Sequence, residues 1–117
     1  MDTVCVIDDD PSVRKAVVNL LKSEGYNAFC LPSGERLLDY GSKHVISCLL
    51  MDLSMPGLTG RETYHQLLLA GYRIPIVYMS AEIGGQDVEA VRSDDRIELL
   101  AKPFTAEALL QALRRII

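Results

Sequence analysis

Cysteine is scarce and falls in no pairing pattern: Cys5, Cys30 and Cys48 stand alone, with no Cys-x-x-Cys among them. An odd count inside apolar runs argues against a disulfide framework or a thiolate metal site, and all three are expected to be free, buried, small hydrophobes. Positive charge is also short, with 12 Lys and Arg against 16 Asp and Glu, a formal net charge of −4. A duplex-binding face needs clustered Lys and Arg, so direct nucleic-acid binding by this segment is not expected. No apolar run approaches the roughly 20 residues that cross a bilayer. Acidic Asp2 and Asp8 stand where a basic, apolar leader would lie. The expected address is therefore the cytoplasm, with no membrane partner. Internal repeats, low-complexity stretches and interdomain linkers are lacking too, and 117 residues suit one domain spanning 1–117. Hydrophobic residues at 49% supply enough apolar surface to offset the entropy of ordering the chain.

What is present is alternation. Thr3–Ile7 is a short apolar run suited to a strand buried on both faces. Asp10-Pro11 reads as an N-cap followed by proline in the first helical position. Val13, Ala16, Val17, Leu20 and Leu21 then form one apolar helical stripe, closed by Gly25. Ala28–Leu31 is a second strand, and Ser33 opens a short helix carrying Leu37 and Leu38 and ended by Gly41. Cys48–Met51 is a third strand. Thr59 and Glu62 have capping-box spacing ahead of a helix with Tyr64, Leu67 and Leu68 inward and Gly71 after it. Pro75 leads into a fourth strand, Ile76–Met79, and then a weakly apolar helix near Gln86–Arg92 with Val88, Ala90 and Val91 to bury. Glu98–Ala101 is a fifth strand, and Thr105 caps a last helix striped by Leu109, Leu110, Leu113, Ile116 and Ile117. Strands that each precede a helix predict an α/β fold, a doubly wound parallel five-stranded sheet of (βα)5 type.

Such open sheets bind ligands beyond the carboxyl ends of their strands. Asp8, Asp9 and Asp10 directly follow the first strand, Asp52 the third, Ser80 the fourth and Lys102 the fifth. In the strand order 2-1-3-4-5 the first and third strands are neighbours, so Asp8, Asp9 and Asp52 converge. Clustered carboxylates repel and at neutral pH require a cation; an oxygen-only set suits Mg²⁺. Lys102 adds a fixed positive charge. A carboxylate nucleophile, a divalent cation and a lysine around one cavity make a set for phosphoryl transfer. Each residue also has a plainer reading. Asp10 before Pro11 is an N-cap, Asp8 and Asp9 alone could be solvated turn residues, and Lys102-Pro103 could be a turn with a cis peptide. Reactive residues at four strand ends together outweigh those readings taken singly. His44 and His65 lack ligand-like spacing and are expected at the surface. Met51, Met55 and Met79 are packing residues, and Gly84-Gly85 either loosens the loop after the fourth strand or simply makes a long turn.

These residues resemble, over the whole chain, the receiver domain of bacterial two-component response regulators. The resemblance rests on VIDDDPSVR, on MDLSMPGLTG with Pro56 and Gly60 beyond Asp52, on SAE after the fourth strand and on KPF after the fifth. The IPIVYMSAE and AKPF blocks are most similar to the subclass whose receivers precede a LuxR-type helix-turn-helix output domain. The resemblance implies the flavodoxin-like receiver fold and a phosphorelay in which Asp52 accepts a phosphoryl group from a sensor histidine kinase. It implies that Asp9, Asp52 and the backbone carbonyl of Ser54 hold Mg²⁺ (or Mn²⁺) directly and Asp8 largely through water. Ser80 would donate its hydroxyl to a phosphoryl oxygen, Lys102 would pair with the acyl phosphate, and Ala81 would leave a path in. Ser54 and Glu82 match positions that tune hydrolysis. Also implied are switching of the face made by the fourth helix, fifth strand and fifth helix, homodimerisation on phosphorylation, and control of an output domain such as a DNA-binding transcription regulator. The chain would then be a phosphoacceptor with self-catalysed transfer and autodephosphorylation rather than an enzyme.

Two positions depart from that pattern. Leu99 stands where the family places Tyr or Phe, which puts the usual aromatic switch in question, and Asp95-Arg96 replaces a familiar Gly-Ala. Three other readings fit the residues less well. A phosphatase of the haloacid-dehalogenase type needs a second Asp two residues after the nucleophile, where Ser54 stands, and a dinucleotide-binding enzyme needs the missing Gly-x-Gly-x-x-Gly. A non-phosphorylated pseudo-receiver typically loses the acidic pair, the acceptor or the lysine, all present here.

Overall fold

The computed structural model describes residues 2–117. Its elements are β1 (Thr3–Ile7), α1 (Pro11–Ser23), β2 (Asn27–Leu31), α2 (Gly34–Asp39), β3 (Cys48–Asp52), α3 (Gly60–Leu69), β4 (Ile76–Ser80), α4 (Gly85–Ser93), β5 (Ile97–Ala101) and α5 (Ala106–Ile116). The strands pair in parallel in the order β2-β1-β3-β4-β5, as the alternation predicts. The order in which strands are added therefore reverses at β1/β3, which opens a crevice at their carboxyl ends.

Burial follows position in the sheet. Every residue of β3 and β4 is buried, whereas edge strand β2 has no fully buried position. Alternating side chains build two apolar layers. Cys5, Ile7, Leu49 and Met51 meet α2, α3 and α4 on one face; Val4, Val6, Leu50 and Val77 meet α1 and α5 on the other. Each fully buried Leu or Ile contributes about 1.5–3 kcal/mol, so these layers hold the sheet and fix where its ends point.

Local chemistry sets the helix starts. The Asp10 carboxylate accepts from Ser12 N at 2.8 Å with Pro11 in the first turn. Thr59 and Glu62 form the expected capping box, and Thr105 Oγ1 accepts from Ala108 N at 3.0 Å.

Several expectations need correction. Cys30 is exposed, because it lies on the incompletely covered edge strand. Ala16 is exposed and Val18 is buried in its place; the arc of α1 facing the sheet centres on Val17, Val18 and Leu21. The third and fourth strands run one residue further than predicted, so Asp52 and Ser80 are their last residues rather than the next ones. A 3-10 turn at Lys43–Val45 was not expected. Lys43 is buried there, its ammonium donating to the carbonyls of Leu38 and Tyr40 at 2.7 and 2.8 Å.

α4 departs most from its predicted pattern. Val88 and Ile117 are exposed rather than buried. In α4 the one buried residue is Asp87, while Ala90 and Val91 pack only partly. The helix is held instead by polar contacts to α3. Arg61 of α3 pairs with Asp87 and Tyr64 Oη of α3 donates to Asp94 Oδ2, just past the end of α4, at 3.5 Å, while at the helix's own start Gly84 N donates to Asp87 Oδ2 at 2.7 Å. Gly84 thus serves as the N-cap of α4.

Candidate functional site

The carboxyl ends of β1, β3, β4 and β5 bring the sequence-predicted residues together. One carboxylate oxygen from each of Asp8, Asp9 and Asp52 lies within 4.8 Å of the other two. Asp8 is fully buried, Asp52 is 8% exposed and Asp9 is exposed. The backbone imposes these differences: Asp8 continues the buried strand, while Asp9 lies on the turn into α1.

Lys102 closes the pocket from β5. Its ammonium lies 2.8 Å from Asp8 Oδ2 and 3.1 Å from Asp52 Oδ2. Burial alone would lower the lysine pKa, but the hydrogen bonds to both aspartates outweigh it and the net shift is upward. Lys102 therefore stays charged through the neutral range. Its own backbone N donates to Ser80 O at 2.8 Å, and the Lys102-Pro103 peptide is cis.

The nucleophile candidate is equally fixed. Asp52 Oδ1 accepts from Ser54 N at 2.9 Å, and Leu53 N donates to Met79 O at 2.9 Å. Gly60 packs beneath: a Cβ added there would come within 2.7 Å of Asp52 O and 3.0 Å of Leu53 Cα. A side chain at position 60 would thus press on the backbone that aims Asp52. Ser80 is buried beside it, its hydroxyl donating to Glu82 O at 2.6 Å and accepting from Glu82 N at 3.1 Å. In this state the Ser80 hydroxyl faces its own loop. A cavity of about 220 Å³ lies over these groups, lined by Asp52, Ser54, Ser80, Ala81, Glu82 and Lys102.

The donor set fits a hard divalent cation. Three carboxylates supply oxygen ligands only, with one exposed ligand on the solvent side, and one lysine cannot balance three negative charges. Asp10 points elsewhere, into its cap. His44 and His65 are exposed and outside the pocket.

Three contributors went unassigned from sequence. Arg14 Nη1 donates to Asp8 O at 2.7 Å; its only signal was a position one helical turn into α1, on the face toward the strand end. Gly60 and the Arg61–Asp87 pair matter through contacts between elements that no local pattern reports. Leu99 is half-buried and in register with Tyr78 across β4 and β5.

Fold and pocket together define the class: an open parallel α/β domain with an acidic, cation-ready pocket at the ends of its central strands. Residues 4–114 match the response regulator receiver domain, and the chain belongs to that family. It is thus a receiver module of two-component signalling, the kind that works with histidine kinases. The chain is 31% identical over 115 residues to response regulator protein TodT of Pseudomonas putida, covering 95% of this chain and 49% of TodT. It spans about half the length of the curated relatives it matches. Among solved structures, chemotaxis protein CheY4 of Vibrio cholerae superposes with a TM-score of 0.88 at 27% identity, covering 100% of this chain and 99% of that one. TrrA of Thermotoga maritima, solved in complex with Mg²⁺-BeF, shares the fold at 22% identity and a TM-score of 0.84, with both chains covered in full. Among the described residues no helix is long and apolar enough to cross a membrane.

Proposed function

We propose that Asp52 accepts a phosphoryl group from a sensor histidine kinase. The observation that carries this reading is its carboxylate, at the end of central strand β3, beside two further carboxylates and 3.1 Å from the Lys102 ammonium. An Asp52 carboxylate oxygen attacks phosphorus, the bond from phosphorus to the donor's imidazole nitrogen breaks, and that nitrogen keeps the electron pair. When bound, Mg²⁺ (or Mn²⁺) would neutralise charge on the phosphoryl oxygens; Asp9, Asp52 and the Ser54 carbonyl would hold it, with Asp8 behind them. Lys102 then exchanges part of its contact with Asp52 for a phosphoryl oxygen. Ser80 gives up Glu82 O and donates to another, a charge-assisted hydrogen bond.

The domain acts as acceptor rather than enzyme: transfer and later hydrolysis occur on its own side chain. Leu99 has no polar tip and changes size little between rotamers, so it follows Ser80 only partly. The response therefore passes mainly through the loop Ser80–Gly85 and α4, whose apolar anchoring is thin. Blocks similar to LuxR-type regulators, and relatives twice as long, support a place in a longer transcription regulator; a cytoplasmic address, dimerisation on phosphorylation and no DNA binding by this segment complete the proposal.

Intact-mass measurement with acetyl phosphate and Mg²⁺ tests the reading. Wild type should gain one phosphoryl group and Asp52→Asn none. Uptake by Asp52→Asn at the wild-type rate would refute the acceptor, and no uptake by wild type would leave a pseudo-receiver.

A further inference from the structure

The three aspartates are held in unequal ways. Asp8 is fixed through Asp10 N at 2.9 Å and Lys102 at 2.8 Å, and Asp52 through Ser54 N and Lys102. The Asp9 carboxylate receives no hydrogen bond among the described residues, so its aim depends on the backbone that carries it. The peptide leading into Asp9 has Asp8 O as its carbonyl oxygen, and a single side chain holds that oxygen: Arg14, whose Nη1 donates at 2.7 Å from α1. The guanidinium forms no ion pair with any carboxylate among the described residues. Its contact with the pocket is through a neutral carbonyl.

We propose that Arg14 is a positioning residue, which orients the Asp8–Asp9 peptide and thereby aims Asp9 at a divalent cation. The proposal rests on the reading of this pocket as a Mg²⁺ site. It makes a prediction of sign. A positive charge beside an acidic pocket opposes a second cation, so if Arg14 acted only through charge, its removal would tighten Mg²⁺ binding. A hydrogen bond that orients a ligand from behind has the opposite effect, and its loss typically weakens metal binding about 10–100-fold.

Arg14→Met keeps the apolar stem and removes both donor and charge, while Arg14→Lys keeps the charge and an N–H donor on a stem one bond shorter. Calorimetric Mg²⁺ titration serves as the readout, since the chain has no Trp to report binding by fluorescence. Arg14→Met should bind Mg²⁺ about tenfold more weakly and Arg14→Lys should recover most of the loss, with melting in EDTA showing both variants folded. In acetyl phosphate uptake, the half-saturating Mg²⁺ of Arg14→Met should rise about tenfold, while the rate at saturating Mg²⁺ stays within about twofold of wild type. Unchanged or tighter Mg²⁺ binding by Arg14→Met, or equal weakening in both variants, would overturn the proposal. Failure of wild type itself to bind Mg²⁺ would instead remove the site reading, and this proposal with it.

Discussion

Replacing Asp9 by Asn should stabilise the metal-free domain. Carboxylate oxygens of Asp8, Asp9 and Asp52 lie within 4.8 Å of one another. At that separation each like-charged pair costs about 0.9 kcal/mol in bulk-water dielectric and about 3.5 kcal/mol at an effective dielectric of 20. Asp9 is exposed, so the lower figure applies, and its two pairs together cost about 1.7 kcal/mol. The Lys102 ammonium offsets Asp8 and Asp52 directly, with no ion pair to Asp9. Asn keeps the size, and the Asp9 carboxylate has no hydrogen bond to lose among the described residues. In EDTA at low salt, Asp9→Asn should therefore gain about 1–2 kcal/mol, a Tm rise of roughly 3–10 °C for a domain of this size. Mg²⁺ should reverse the order. A ligand at 100 times its Kd stabilises the folded state by about 2.7 kcal/mol, and the variant should forgo most of that gain. Thermal melts of both proteins across a Mg²⁺ series should cross. A variant less stable than wild type in EDTA, or one that gains as much from Mg²⁺, would show that repulsion does not govern this pocket.

Gly60→Ala should cost about 1–3 kcal/mol, since the new methyl meets Asp52 O at 2.7 Å and cannot be relieved by a side-chain rotation. Urea denaturation gives the loss, and phosphoryl uptake should slow with it; a neutral substitution would mean that the β3–α3 approach yields freely. Native protein should titrate one thiol of three with an aromatic disulfide reagent at pH 8, because Cys30 is exposed while Cys5 and Cys48 are buried. Burial pushes both inner thiols up, Cys48 to about 12. Unfolded thiols ionise near 9.0, so these two contribute stability below that pH that is lost above it, at about 1.4 kcal/mol per thiol per pH unit. Denaturation curves at pH 8 and 10 check the sign, and equal stability would contradict it.

The sheet was legible because its signals are local. Asp10-Pro11, Thr59 with Glu62, and Thr105 each announce a helix start within four residues, and the uninterrupted apolar runs of β1, β3 and β4 mark the sheet's interior. The pocket was legible for the same reason: strand ends and strand order suffice to gather Asp8, Asp9, Asp52, Ser80 and Lys102. What escaped depends on contacts across elements. The exposure of Cys30 follows from the edge position of β2, and the burial of Val18 rather than Ala16 from the angle at which α1 meets the sheet. Lys43 is polar by composition and buried only because two carbonyls and the face of Tyr72 receive it. Arg14 reads as an ordinary helical arginine until the carbonyl of Asp8 is found beneath it.

α4 is moored to its neighbour by charge where the other helices are moored by oil. Its buried anchor is the carboxylate of Asp87, met by an Arg61 side chain that is 40% exposed, and a cavity of about 450 Å³ adjoins the pair. Dissolved ions reach such a contact, with a screening length of about 10 Å at 0.1 M, but not the layers under Leu49 or Leu113. Rising salt should therefore weaken the seating of α4 before it touches the sheet, and only modestly, since Asp87 itself is buried.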